Sequence, residues 1–330
     1  MKGKMATKAG KTTFNSATQE HKPFFRYNPR TICGITLLSL LFLMALLAPI
    51  IAPFYSSQSP LNIDLFAINL GLGAHGHLLG TDYLGRDILS EALWGARASL
   101  TVGIAAACLA VSFGTLWGGV SAMLGGIVDE IMMRVVDGLL AIPAIILLLV
   151  FQSLCSASVL AHTLPEGLLH LLRVTSYSQG LLPFVTTIFV ISASCWLEAA
   201  RLAHSQVLAI QANEYITAAK ALGISKHSMF FKHLLPNTAF VVVLEATLLV
   251  SDAVLMEAGL SFLGLGLGPG IPSWGSMITA APESLLQGNF LPAIIPGILI
   301  SLCVISVNLL GEGFVDITHS TRRAAGRLAL

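Results

Sequence analysis

The sequence predicts an all-α polytopic membrane protein with six spanning helices, and three observations carry that prediction. Of its 330 residues, 55% are hydrophobic and only 11% charged, against roughly 25% charged in an average soluble domain. The mean hydropathy is +0.81. Apolar runs of the roughly 20 residues that one crossing requires recur at 32–51, 99–124, 133–154, 181–203, 238–260 and 292–311.

In chain order, residues 1–31 form a basic arm carrying Lys2, Lys4, Lys8, Lys11, Lys22, Arg26 and Arg30. The run behind it, 32–53, reads as an uncleaved anchor. It is long, the lysines start far ahead of it, and no clean small-residue cleavage site follows. Residues 54–98 connect it to a core at 99–316 that holds the other five helices, interrupted by a helix-forming, mildly basic segment at 201–237. A tail, 317–330, closes the chain. Pro143, Pro183 and Pro296 fall inside spans, where neighbouring helices satisfy the freed backbone groups.

The placement of cations predicts orientation. Arg134, Arg201, Lys220, Lys226, Lys232, Arg322, Arg323 and Arg327 fall on the side of the basic arm, and only Arg86, Arg97 and Arg173 on the other. Retained loops carry the excess of Lys and Arg. Both termini and 201–237 are therefore expected in the cytoplasm, and 52–98, 155–180 and 261–291 outside. The formal net charge of +1 leaves no basic footprint for nucleic acid, and the arm reads as a topology signal that touches anionic membrane lipid.

Candidate chemistry is sparse. Cys33, Cys108, Cys155, Cys195 and Cys303 lie in or beside apolar runs without metal spacing and read as small buried apolar side chains. His75 and His77 lack the further ligands of a metal site, so no metal is expected. No Walker spacing, HExxH or G-x-S-x-G elbow is present. The glycine run at 264–270 follows no strand and precedes no lysine, so it reads as a chain reversal. The chain is expected not to be an enzyme and not to hydrolyse ATP.

Within 201–237, residues 213–222 are good helix formers and Gly223 ends that helix. Ser225 caps a second helix, in which Met229, Phe230, His233 and Leu234 make an apolar stripe; Pro236 stops it or starts the next span. Two readings stand on periodicity. The pair rests on lipid headgroups, or it is gripped by a soluble partner.

Glu245, Asp252 and Glu257 read as the acidic residues inside a span, where such groups are costly unless they face the interior or water. Glu245 and Asp252, seven apart, share a helix face that lines a pathway or meets a partner. Asp129, Arg134 and Asp137 read as a structural clamp, with an Arg134–Asp137 ion pair at i, i+3. In the outer connection, Gly80-Thr81-Asp82 and Gly85-Arg86-Asp87 combine turn and capping chemistry. Thr81 or Asp82 would cap, Gly85 bend the chain, and Arg86 pair with nearby carboxylates. The segment either braces the mouth of a pathway or only tethers the first span.

Thr217-Ala218-Ala219, three residues, Gly223, nine residues, His233, one residue and Leu235-Pro236 resemble the EAA-x3-G-x9-I-x-L-P loop of ABC-importer permeases. Thr217 stands where that loop has Glu, and His233 where it has an aliphatic residue; Glu214, one turn earlier, can supply the carboxylate. Residues 77–100, HLLGTDYLGRDILSEALWGARASL, resemble the GTD-x-x-GRD-x-x-S signature of the second, "C"-type permease of dipeptide, oligopeptide and nickel importers. Gly126-Ile127-Val128-Asp129 with MRVVD at 133–137, EAGLSFLGLG at 257–266, PSWG at 272–275 and NLLGEG at 308–313 resemble further blocks of that subfamily, in its order.

The resemblance implies the MetI-like fold of type I importers in a bacterial or archaeal cytoplasmic membrane. It implies a second homologous permease sharing the pathway, two ABC ATPase subunits that hold ATP and Mg while this chain binds no cofactor, and an extracytoplasmic solute-binding protein. The ATPase-coupling residues would be Glu214, Tyr215, Thr217, Ala218, Ala219, Lys220, Gly223, His233, Leu235 and Pro236, with Glu214, Tyr215 and Lys220 as contacts and the small Ala218 and Ala219 permitting close approach in a groove on the ATPase. Peptides are the favoured substrate, with nickel or a metal chelate as the alternative. Asp252, where the family is expected to have a small or apolar residue, reads either as a contact to a peptide amino group or as a carboxylate paired with a partner or a helix end. Glu257 would hold the outer gate region. A secondary transporter using Glu245 and Asp252, or a membrane scaffold, are rival classes; neither accounts for five blocks in order.

Overall fold

The computed structural model describes residues 29–55, 63–155, 182–268 and 270–328. Residues 1–28 of the basic arm, 56–62 of the outer connection and 156–181 lie outside them. The described residues form ten α-helices and no strand: α1 Pro29–Tyr55, α2 Ile88–Leu124, α3 Gly126–Leu140, α4 Ala144–Leu154, α5 Leu182–Gln211, α6 Glu214–Ala221, α7 Lys226–Met229, α8 Leu235–Phe262, α9 Trp274–Leu286 and α10 Leu291–Leu328.

Five helices among the described residues are long and apolar enough to cross a membrane, and a sixth crossing results if α3 and α4 count as one span bent by 97°. The expected single helix at 133–154 is therefore broken. Pro143 disfavours the helical conformation at Ile142, so α3 stops at Leu140 and α4 starts afresh behind Pro143. Other boundaries also move. Helix α2 starts at Ile88, well ahead of residue 99, because Asp87 Oδ2 accepts the amide of Ser90 at 2.7 Å and caps it. The connection expected at 261–291 contains α9, opened by a reciprocal Ser273–Ser276 capping box.

Among the described residues, the most extensive helix contact is between α2 and α5. It is made by Gly114 and Gly118, four apart on one face of α2. A Cβ on Gly118 would stand 1.9 Å from the Ala200 carbonyl oxygen, and one on Gly114 2.5 Å from that of Trp196. Small residues at this spacing let helix backbones touch where lipid supplies no hydrophobic drive. Beside the contact, Trp117 and Trp196 pack edge to face with ring centroids 5.3 Å apart.

Two apolar clusters fill the bundle. One joins α2, α5 and α8 through Val102, Ala106, Val190, Ile191 and Leu249. The other joins α1, α2, α9 and α10 around Leu41, Ile88, Trp274 and Cys303. Trp274 is fully buried; its indole N–H donates to the Ala92 carbonyl at 3.2 Å and its backbone N–H to Ser99 Oγ at 3.1 Å.

Candidate functional site

A third cluster lies at one end of the bundle, and the helical loop is built on it. Ile216 and Ala219 of α6 are buried with Ala122 of α2, Val207 of α5, and Met229, Phe230 and Leu234. The opposite face of α6 is open: Glu214, Thr217 and Ala218 are exposed, Tyr215 is 48% exposed and Leu222, just past its end, 84%. Ala219 is thus turned into the bundle and not toward a partner. Of the two alanines expected to permit close approach, only Ala218 is on the surface.

The loop's turn follows from Gly223. Its N–H donates to the Lys220 carbonyl at 3.0 Å and the Ile224 N–H to that of Ala219 at 3.3 Å, a Schellman closure that needs the positive φ of 81° found at Gly223. Ile224 then packs back on the cluster. Ser225 Oγ accepts the Ser228 amide and caps α7.

The second short helix expected after Ser225 is instead the first turn of a long span, Lys226–Phe262. A π-helical turn, Phe230–Leu234, joins α7 to α8. Pro236 sits at the start of α8 and does not end the helix, because the π turn ahead of it absorbs the bonding its ring disrupts. His233 and Leu235 are half-buried and Pro236 exposed. Lys220 Nζ donates to Gln211 Oε1 at 3.3 Å, while Gln211 Nε2 donates to the Ala122 carbonyl at 3.0 Å, fastening the loop to α5 and α2.

A cleft of about 470 Å³ opens where the broken span meets α5 and α8. Leu140 and Pro143 at the break, Glu198 and Cys195 of α5, and Asp252 and Met256 of α8 line it. Glu198 corrects the sequence reading, which found no acidic residue in this span; one carboxylate among the apolar neighbours of 181–203 was masked by their average. Asp252 lines the cleft, whereas Glu245 does not, although it lies within electrostatic reach of Glu198 and Asp252. Among the described residues, no salt bridge engages either Glu198 or Asp252.

Glu257 is elsewhere and fully buried. Its Oε2 accepts from Ser99 Oγ at 3.0 Å and its Oε1 from Ser261 Oγ at 2.9 Å. Through the Ser99–Trp274 bond it ties α2, α8 and the start of α9 into one interior strut, where the blocks at 257–266 and 272–275 meet.

The outer segment is folded tightly. The Thr81 hydroxyl donates to the Ala67 carbonyl and accepts the Leu70 amide at 2.9 Å. Asp82 Oδ1 accepts the amides of Leu84 at 2.9 Å and Arg86 at 2.7 Å. The helix cap is Asp87, not Thr81 or Asp82. Arg86 reaches Glu91 at 3.4 Å, and His77 Nδ1 lies 3.0 Å from Asp87 Oδ1. Gly80 and Gly85 leave room for the carbonyls of Leu70 and Asp64, which would otherwise meet a Cβ at 2.2 and 1.9 Å. Ser284 Oγ accepts the Tyr83 amide at 3.0 Å and Asn289 Nδ2 donates to the Thr81 carbonyl at 2.9 Å, which stitches this segment to the α9–α10 end. Burial pushes the Asp82 carboxyl up, against the amides of Arg86 and Leu84, and its Oδ2 has no partner.

The clamp on α3 is not the one expected. Arg134 pairs with Glu130 at 3.5 Å, both exposed, because helical side chains lean toward the preceding turn; Asp137 takes no part. Asp129 instead receives Ser121 Oγ at 2.5 Å and lies 2.8 Å from His204 Nε2, a histidine that sequence reasoning did not single out. All five cysteines are free; Cys195 and Cys303 are buried as expected, whereas Cys33 and Cys108 lie exposed on α1 and α2.

Residues 110–322 match the family described as binding-protein-dependent transport system inner membrane component. The chain is 33% identical over 295 residues to the oligopeptide transport system permease protein OppC of Bacillus subtilis, covering 88% of this chain and 86% of that protein. Against the dipeptide transport system permease protein DppC of the same organism it is 33% identical over 302 residues, covering 91% and 85%. Against the DppC protein of Haemophilus influenzae it is 31% identical over 299 residues, covering 90% and 92%.

Proposed function

The chain belongs to the family of binding-protein-dependent transport system inner membrane components, and from that premise we propose that it is a membrane-spanning permease subunit of an ATP-driven importer of dipeptides or oligopeptides. The subunit is non-catalytic. Hydrolysis of ATP, with Mg, takes place on two ATPase subunits; a second homologous permease completes the pathway, and an extracytoplasmic solute-binding protein delivers the peptide. The bias of Lys and Arg supports cytoplasmic termini and a cytoplasmic loop at 201–237.

One observation carries the coupling role: α6 shows an open outer face, with Tyr215 and Ala218, while its inner face is locked by Ile216 and Ala219 onto α2 and α5. A helix fixed on one side and free on the other is suited to a groove on a soluble partner. Motion of the ATPases displaces α6, and the buried cluster passes that motion to the helices beside the cleft. ATP favours one orientation of the bundle only as far as the loop's contacts differ between states.

Asp252 and Glu198 suit the cleft to a cationic group such as a peptide ammonium, since ionisable residues inside a span mark solute pathways. The test is ATP-dependent uptake into vesicles containing the reconstituted complex. Labelled di- and oligopeptides should accumulate, and Asp252→Asn should lower uptake about tenfold, the scale of one charge-assisted contact, while the ATPases stay attached. Accumulation of nickel chelate without peptide would reject the peptide reading.

A further inference from the structure

Helix α3 is joined to α2 by a connection that holds it loosely. Gly125 and Gly126 both have positive φ, 65° and 62°, and a Cβ on either would touch nothing within 4 Å. These glycines serve backbone conformation and not packing. Within α3 only Val136 is buried, and it anchors the far half by packing with Leu147, Leu197 and Ala200. The near half is solvent- or lipid-facing, with Ile127 76% and Ile131 60% exposed.

What holds the near half is polar. Asp129 Oδ1 accepts from Ser121 Oγ of α2 at 2.5 Å and lies 2.8 Å from His204 Nε2 of α5; one weaker bond, from Trp117 Nε1 to the Met132 carbonyl at 3.4 Å, helps. With Nε2 carrying a proton, His204 donates to a carboxylate only partly exposed to water, where such bonds exceed neutral ones in strength.

The position of His204 gives this bond a use. At 1.5 Å rise per residue, His204 lies about 9 Å along α5 from Glu198 in the cleft and about 10 Å from Gln211, which fastens the loop. Helix α3 likewise runs from Asp129 to Leu139 and Leu140, which line the same cleft. Two routes thus join the loop to the cleft, α5 itself and α3, and the second is connected to the first at its near end through His204 and at its far half through Val136 against Leu197 and Ala200.

We propose that His204 is a positioning residue of the transport cycle: its bond to Asp129 makes α3 travel with α5 when the loop moves, so that the break at 141–143 follows the ATPases. This rests on the reading of 201–237 as the coupling loop. Without the bond, α3 is held on α5 only where Val136 meets Leu197 and Ala200, the Gly125–Gly126 joint lets it tilt about that contact, and ATP is spent without a matching displacement of the cleft wall.

The test compares His204→Phe, which keeps a ring and removes the donor, with His204→Gln, whose Nε2–H can reach Asp129, in the complete reconstituted importer. Peptide taken up per ATP hydrolysed should fall about tenfold in His204→Phe, the scale of losing a hydrogen bond to a charged group, and stay near wild type in His204→Gln. Asp129→Ala, which also frees Ser121 Oγ, should lose at least as much as His204→Phe, and the pair together should be no worse than Asp129→Ala alone.

Spin labels at Ile131 and Ser205, in a chain whose five cysteines are replaced by alanine, give a readout independent of turnover. Their separation should be the same with and without ATP in the otherwise unchanged chain and should change in His204→Phe. An unaltered uptake-to-hydrolysis ratio in His204→Phe, additive losses in the pair, or failure of His204→Gln to restore coupling would each overturn the proposal. Ala218→Arg separates this from the loop reading: if it leaves ATPase attachment and transport intact, the loop reading fails, whatever His204 does.

Discussion

At the residue scale, Asp82 shows how a buried carboxylate makes the outer segment sensitive to pH. Its folded pKa is raised above the ordinary carboxylate value by burial. Between the ordinary value and the raised one, the folded chain therefore holds more protons than the unfolded chain, and stability falls as pH rises through that window, then levels off above it. Asp82→Asn keeps an acceptor for the amides of Leu84 and Arg86 and removes the charge that burial penalises. It is expected to flatten this part of the pH dependence and raise thermal stability at neutral pH, measured by unfolding of the purified subunit in detergent. A second pair of residues separates surface from core on α6. Ala218→Arg should leave the subunit folded but detach the ATPases, whereas Ala219→Arg should lower its accumulation in the membrane, because a guanidinium driven among Ile216, Phe230 and Leu234 is buried without a partner. Both alanines were visible in the sequence as small residues at the matched motif, but which faced outward depended on where α2 and α5 lie. Glu198 and His204 were harder to find, because one is a lone carboxylate in an apolar stretch and the other one polar residue among Arg201, Ser205 and Gln206, and each acquires meaning only from α8 or α3 across the bundle.

Among the elements, α2 and α5 depend on a close approach that a single methyl group would prevent. Gly118→Leu places a side chain against the Ala200 backbone, which cannot move aside as a flexible side chain can. The expected cost is at least the ~1–3 kcal/mol of an overpacked core, seen as a lower Tm or loss of folded subunit. Gly138→Ala is the control: a Cβ there meets nothing within 4 Å, and the isolated subunit should be unharmed or slightly stabilised, since alanine favours the helix over glycine. The spans themselves were readable because lipid demands long apolar runs. Their ends were less so. Ile88 to Ala98 belongs to α2 although Glu91 and Arg97 dilute its hydropathy, and α9 hides in a stretch of glycine, proline and serine whose Ser273–Ser276 cap was the available signal. The π turn before Pro236 had no signature that periodicity could register.

For the whole molecule, the ordered blocks converge in space at three levels. The outer block at 77–100 is stitched to the α9–α10 end, the blocks at 257–266 and 272–275 meet at Glu257, and the loop at 201–237 is seated on α2 and α5. That arrangement seats α6 on α5, the helix that also lines the cleft, and the proposed coupling uses that connection within an assembly. The account is tested most directly by extracting the tagged subunit from its native membrane and weighing by native mass spectrometry what accompanies it, with the Ala218→Arg variant run in parallel. A complex with one homologous permease and two ATPases, from which the ATPases alone are lost in Ala218→Arg, is the predicted result. Recovery of the chain alone or as a simple homo-oligomer, under conditions that keep an authentic importer whole, would contradict it.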